Sequence, residues 1–257
     1  MNFSKSDLEQ IKGHAFIDAL SFFESSGSTN DLALESKLNH DSKSHLFLSA
    51  SQSYGRGRGQ NQWFSAKGAL TFSILLNYKK LGINDDKLPL LSLSTGLAIA
   101  KAADQFVDID ATIKWPNDVY LADKKLAGIL IEHSKSSANT LVIGIGLNVN
   151  NTMKNHSLSN LATSIIEQSE AVSLTDVLIA ILEQIELQFE LLKLETKHLI
   201  SAMNERSFLK GKVIKLQVAE QIHSGLYQGI GRSGELIISN ESGNHSFIAG
   251  SIIEVTG

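Results

Sequence analysis

Residues 111–132 read Ala-Thr-Ile-Lys-Trp-Pro-Asn-Asp-Val-Tyr-Leu-Ala-Asp-Lys-Lys-Leu-Ala-Gly-Ile-Leu-Ile-Glu. Ala111 to Trp115 runs as a strand into Pro116, and the turn Pro116-Asn117-Asp118 ends it. Val119 to Leu121 and Lys125 to Glu132 then pair as a hairpin around Ala122-Asp123-Lys124. Working outward, Leu141 to Val149 is an apolar run short enough for a central strand, and residues 45–51 and Ala69 to Asn77 are extended. Residues 30–39 read as a short helix opened by the hydroxyls of Ser28 and Thr29, and Pro89 opens an apolar stretch to Phe106 that suits a buried helix. From Leu174 to Lys193, Leu178, Ile181, Leu182, Ile185, Phe189 and Leu192 recur at helical spacing, an apolar stripe that covers a sheet face. Beyond residue 206 the texture changes to short alternating stretches at Val213 to Val218, Gly225 to Ile230 and Glu235 to Ile238, the pattern of a small all-β barrel.

The chain has 257 residues, enough for one large domain plus a small one, and 42% hydrophobic and 19% charged residues with two prolines describe a globular protein. A formal charge of −4 argues against a bulk electrostatic nucleic-acid binder. The absence of cysteine removes disulfides, zinc–thiolate sites, iron–sulfur clusters and thiol nucleophiles, which suits the reducing cytoplasm. No apolar run reaches the roughly 20 residues of a membrane span, and the N-terminus lacks the apolar core of a signal peptide. There is no Gly-x-Ser-x-Gly elbow, His-Glu-x-x-His helix or Gly-x-x-x-x-Gly-Lys-Ser/Thr loop. The eight histidines are scattered without metal-ligand spacing, so no structural metal is predicted.

Four motifs carry chemistry. Gln52-Ser-Tyr-Gly-Arg-Gly-Arg-Gly sets Arg56 and Arg58 among glycines; guanidinium forks bind phosphate bidentately, although the same composition fits an exposed flexible loop. Lys114 ends a strand, where an ammonium can clamp a carboxylate and an attacked phosphate together; most lysines are only solvated surface groups. The glycines of Gly144-Ile-Gly-Leu-Asn148 let a ring or a neighbouring backbone lie flat against the strand, or mark a β-bulge, and Asn148 can hydrogen-bond a ligand edge. Ser28-Thr29-Asn30 can bind a ureido ring or cap a helix.

In this order along the chain, Ser-Thr-Asn, Gly-Arg-Gly-Arg, Lys-Trp-Pro-Asn-Asp, Lys-Leu-Ala-Gly-Ile-Leu and Gly-x-Gly-x-Asn resemble the biotin protein ligase family. The resemblance implies an α+β fold. It implies that residues 1–205 form a class II synthetase-like mixed catalytic sheet flanked by helices, and residues 206–257 a small C-terminal SH3-like β-barrel. It implies an ATP-dependent, AMP-forming enzyme that makes biotinyl-5′-adenylate and transfers biotin to a lysine of a biotin carboxyl carrier protein, with Mg²⁺ arriving on the ATP phosphates. Ser28, Thr29, Asn30 and Gln52 inherit contacts to biotin, with Gly55, Gly57, Gly128 and Gly146 around it. Arg56 and Arg58 close over the adenylate, Trp63, Asn117 and Asn148 seat the nucleotide, and Lys114 joins the two arginines as a catalytic group.

Two departures stand out: Gly59-Gln-Asn-Gln62 lies where many members have a further glycine and a basic residue, and Gly250-Ser251 where relatives often carry glycine and glutamate. The catalytic match starts near residue 28, so no helix-turn-helix domain and no sequence-specific DNA binding are expected. Family analogy leaves a homodimer open. The rival readings are lipoate or octanoate transfer on a related fold, and a non-catalytic partner-binding protein.

Overall fold

The computed structural model describes residues 3–134, 137–153 and 157–257. Helix α1 (Lys5–Lys12) starts at a capping box in which the Ser4 hydroxyl accepts from Asp7 N and the Asp7 carboxylate accepts from Ser4 N. Strand β1 (Leu20–Phe23) leads through α2 (Thr29–Glu35) to β2 (Ser44–Ser49), which pairs with β1 in parallel. Strand β3 (Leu70–Asn77) follows, then a 3₁₀ turn over Asp85–Leu90 and α3 (Leu91–Ala103). The strands β4 (Thr112–Lys114), β5 (Asp118–Leu121), β6 (Lys124–His133) and β7 (Thr140–Leu147) complete a mixed seven-stranded sheet in the order β1-β2-β3-β7-β6-β5-β4.

The central strands read as apolar runs because both of their faces are covered. Leu46, Leu48, Phe72, Ile74, Ile143 and Ile145 face the main core, which contains α3 and the long helix α4 (Leu174–Leu194). The alternate residues Phe47, Leu75 and Val142 pack with Ala33 of α2 on the opposite face. Helix α4 starts at Ser173, whose hydroxyl accepts from Asp176 N at 3.2 Å. Ser173→Ala removes that cap and is expected to cost about 1 kcal/mol of stability, read as a lower urea midpoint at unchanged m-value.

Helix α5 (Thr196–Glu205) delivers the chain to a strip along the outer edge of β4, where Ile113 N donates to Arg206 O and Phe208 N to Ile113 O. The Arg206 guanidinium reaches Asp104 at 2.6 Å and the Ala111 carbonyl at 3.2 Å, fastening this junction to the end of α3. Beyond it, β8 (Val213–Val218), β9 (Gln221–Ile230), β10 (Leu236–Asn240), β11 (Gly243–Phe247) and β12 (Ser251–Thr256) form a second sheet, antiparallel throughout, in the order β11-β10-β9-β8-β12. Shifts of register at Ile237/Ile238 and Ile252/Glu254 bend it.

Several boundaries move. The helix expected over 30–39 is Thr29–Glu35: it stops where the Ser36 hydroxyl turns back to the Leu32 carbonyl and Ser36 goes extended. Pro89 sits inside the 3₁₀ turn instead of opening α3. The hairpin turn is the pair Ala122-Asp123, both at positive φ (48° and 61°), as a tight two-residue connection requires, so Lys124 already belongs to β6.

Candidate active site

Period-two alternation puts Thr71, Ser73 and Leu75 of β3 on the face that carries α2, with Gly146, Gly144 and Val142 of β7 opposite them, and Gly128, Leu130 and Glu132 of β6 beyond. Helix α2 covers one end of this face. The two glycine rows leave the rest low, and a cavity of about 750 Å³ stands over them, a volume suited to a ligand of nucleotide size. Both registers run through Gly144 and Gly146 without a shift, so no β-bulge occurs there. The glycines serve close approach instead. A Cβ on Gly144 would lie 1.9 Å from Asn30 Oδ1, and one on Gly146 would lie 2.2 Å from Cε2 of the Trp63 indole, which packs against the strand there.

At the α2 end, Ser28, Thr29 and Asn30 are all buried and line the cavity. Ser28 is the N-cap residue of α2, yet its hydroxyl makes no capping bond. The orphan N–H of Thr29 goes to Gln52 Oε1 at 2.7 Å, so the glutamine caps the helix from across the site. Asn30 Nδ2 donates to Glu132 Oε2 at 2.8 Å, and the buried Ser73 hydroxyl lies 2.6 Å from Asn30 Oδ1 and 2.7 Å from Thr29 Oγ1.

The arginine loop is a small hairpin. Gly57 N donates to Asn61 O, Asn61 N to Arg58 O and Trp63 N to Gly55 O, with Gly59 at φ +62° at its tip. Gly55 lies at the neck, where a Cβ would sit 2.5 Å from Trp63 O, and Gly57 faces the cavity. Arg56 bonds Glu132 through both nitrogens, at 3.0 and 2.6 Å, and pairs with Asp31 at 2.9 Å. Among the described residues Arg58 meets only neutral oxygens, Asn117 Oδ1 at 3.3 Å and the Gly250 carbonyl at 3.4 Å, so the turn leading into β12 contributes to the site wall. Gly59, Gln60, Asn61 and Gln62, the neutral departure, line the cavity, as does Ser251.

Lys114 and Asp118 flank the Trp115-Pro116-Asn117 connection as a cross-strand pair. Lys114 Nζ donates to Tyr120 OH at 3.1 Å and stands 4.9 Å over that ring. Burial pushes the Lys114 ammonium below its ordinary value; Asp118 pulls it back up, and Lys125 and Lys212 lower it further. Burial, with Asp118 adding, pushes the Tyr120 phenol up to about 12, so it stays a neutral hydroxyl. Lys125 pairs with Asp118 at 2.7 Å. Of the cationic side chains that line the cavity, Arg56 and Lys125 are thus neutralised. Arg58 and Lys114 have no ion pair among the described residues.

Residues 22–150 match the model of the biotin/lipoate A/B protein ligase family. The chain belongs to this family. Similar curated relatives are biotin–protein ligase 1, chloroplastic, of Arabidopsis thaliana, 27% identical over 77% of this chain and 59% of that protein. Another is the bifunctional ligase/repressor BirA of Escherichia coli K12, 29% identical over 74% of this chain and 60% of that protein. The chain therefore spans somewhat over half the length of these relatives. Among solved structures, biotin protein ligase from Aquifex aeolicus in complex with biotin and ATP superposes with a TM-score of 0.81 at 28% identity, over 93% of this chain and 99% of that one.

Every candidate residue read from the sequence lies inside the segment that matches the biotin/lipoate ligase family, and all but Gly55 line one cavity. Asn148 lines the cavity and also braces the loop that follows β7: Nδ2 donates to Thr163 O and Oδ1 accepts from Asn151 Nδ2. Ser73, Glu132, Lys125 and Tyr120 belong to the same site, and sequence reasoning did not single them out. Met153, Leu158, Leu161 and Ala162 add an apolar wall from after the matched segment. Among the described residues no group of three His, Cys, Asp or Glu is placed to hold a metal ion, and no helix is long and apolar enough to cross a membrane.

Proposed function

We propose that this chain is a biotin protein ligase, which joins biotin to ATP as biotinyl-5′-adenylate and then transfers the biotinyl group to a lysine of a biotin carboxyl carrier domain. The observation that carries the reading is the polarity of the cavity. One end holds neutral hydrogen-bonding groups on the buried Thr29 and Asn30 and the half-buried Gln52, and the other presents two cations, Arg58 and Lys114, with no ion pair among the described residues.

With the ring seated among the neutral groups, the carboxylate tail points toward Lys114. A carboxylate oxygen attacks the ATP α-phosphorus; the new C(O)–O–P bond forms as the bond to the β-phosphate oxygen breaks and pyrophosphate leaves. Lys114 and Arg58 offset the negative charge of two mutually repelling anions at that point. Mg²⁺ would arrive on the ATP phosphates and supply neutralisation of their charge. Protein residues do not fit a resident metal, since Asp118, the cavity carboxylate nearest Lys114, is already paired with Lys125. In the second half the acceptor amine attacks the acyl carbon, an amide forms, the C–O bond breaks and AMP leaves.

Residues 1–205 are proposed as the class II synthetase-like catalytic unit and 206–257 as an SH3-like module; the five-stranded antiparallel sheet supports the second and the Arg58–Gly250 contact its role in the site wall. The need for ATP and the lack of cysteine support a cytoplasmic setting. Biotin-dependent exchange of labelled pyrophosphate into ATP tests the activation step. Exchange with biotin, and none with lipoate or octanoate, is the expected result; exchange with lipoate alone would move the chain to the other branch of the family.

A further inference from the structure

Glu132 has no part in the activity described above, yet it is joined to both binding motifs of the cavity. Its Oε2 accepts from Asn30 Nδ2 at 2.8 Å, and its two oxygens hold the Arg56 guanidinium at 3.0 and 2.6 Å. An ionised carboxylate accepts hydrogen bonds and donates none, and the second neighbour of Asn30 Nδ2, the Leu130 carbonyl at 3.4 Å, is also an acceptor. The Asn30 amide therefore has one consistent orientation, with Nδ2 toward β6 and Oδ1 toward Ser73.

The consequence passes down the chain of contacts. Asn30 Oδ1 can only accept, so the single proton of the buried Ser73 hydroxyl goes to it across 2.6 Å. The 2.7 Å contact between Ser73 Oγ and Thr29 Oγ1 must then be made by the Thr29 proton. Thr29 Oγ1, on the cavity wall, is left with lone pairs and no proton to give. Its backbone N–H is likewise committed, to Gln52 Oε1.

Resting on the biotin reading above, we propose that Glu132 is a specificity-determining positioning residue: acting through Asn30 and Ser73, it makes the Thr29 hydroxyl an acceptor, so that the pocket takes rings bearing N–H donors. A cyclic urea such as that of biotin offers two such donors. The dithiolane of lipoate offers none and leaves the acceptor unpaired, a mismatch that buried polar sites reject strongly. The same carboxylate anchors Arg56, so the ring pocket and the arginine loop share one fixed point.

The test is a double-variant cycle on biotin affinity without ATP, using wild type, Glu132→Met, Ser73→Ala and the combination, with lipoate as the second ligand. Methionine keeps the length of the side chain and removes the acceptor at a partly exposed strand position, and the unfolding temperature of each of the four proteins is measured so that a loss of stability is separated from a loss of affinity. Glu132→Met is expected to weaken biotin by on the order of tenfold while lipoate binding does not fall. The double variant is expected to lose at least about fivefold less than the product of the single losses, because Glu132 and Ser73, which do not touch, act on one relay. Losses that simply multiply, or that track thermal stability, overturn the assignment while leaving the biotin reading intact. A wild type that binds lipoate as tightly as biotin overturns both.

Discussion

Lys114→Ala is expected to lower the rate of biotin-dependent pyrophosphate exchange by about 10²- to 10³-fold, the usual loss when one preorganised charge-stabilising group is removed from a reacting centre. The fold should not suffer. Among the described residues the Lys114 ammonium makes one hydrogen bond, to a neutral phenol, and it is held in partial burial that disfavours the charge. The same burial gives the group a signature in pH. Because its pKa lies below the ordinary lysine value, the ammonium form is lost as pH rises through that lowered value, so the exchange rate should fall on an alkaline limb that begins earlier than a normal lysine would produce. Lys114→Arg keeps a cation at all such pH values and should remove the limb even where geometry costs it rate. Undiminished exchange by Lys114→Ala would take the lysine out of the reacting centre.

Which parts of this site the sequence could disclose follows from how local each signal is. Lys114-Trp-Pro-Asn-Asp118 declares itself as a strand end, because proline stops the ladder wherever it stands, and the structure places both flanking side chains, Lys114 and Asp118, opposite each other. Gly144 and Gly146 share a face by period-two spacing alone, and the ring that exploits the space proves to be Trp63. By contrast, Ser73 is a serine in a strand whose other residues are nearly all apolar, and nothing nearby distinguishes it from a tolerated core hydroxyl. Its partners sit 43 and 44 positions away. Glu132 lies near the end of β6 and meets Arg56 and Asn30 from 76 and 102 residues off, pairings set by sheet order and invisible to spacing. Helix capping shows the same competition: a Ser-Thr pair before a helix predicts a local hydroxyl cap, but Gln52, brought in by β2, takes the Thr29 N–H and leaves Ser28 to the cavity. Short elements such as β1 and β11, four and five residues long, carry too few residues for a periodic pattern to emerge.

Gly144→Ala should be the most damaging single-methyl change in the ring pocket. The new Cβ would fall 1.9 Å from Asn30 Oδ1 and 2.7 Å from its Cγ, and neither backbone has room to yield. Strand β7 is hydrogen-bonded on both sides along its whole length, and Asn30 stands in the first turn of a helix buried against β2, β3 and β7. The amide must therefore swing away, which breaks its bonds to Glu132 and Ser73 together and releases the Thr29 hydroxyl. Two hydrogen bonds, one buried and one to a partly buried carboxylate, amount to about 2–4 kcal/mol, so biotin affinity should fall on the order of 100-fold. The substitution also stores the clash in the folded state, and Asn30→Ala removes the atoms that collide. The double variant Gly144→Ala/Asn30→Ala should regain thermal stability relative to Gly144→Ala while binding biotin no better, separating the strain from the recognition. If Gly144→Ala binds biotin as the wild type does, the Asn30 amide does not set the Thr29 hydroxyl that meets the ring; if Asn30→Ala restores binding along with stability, strain alone accounts for the loss.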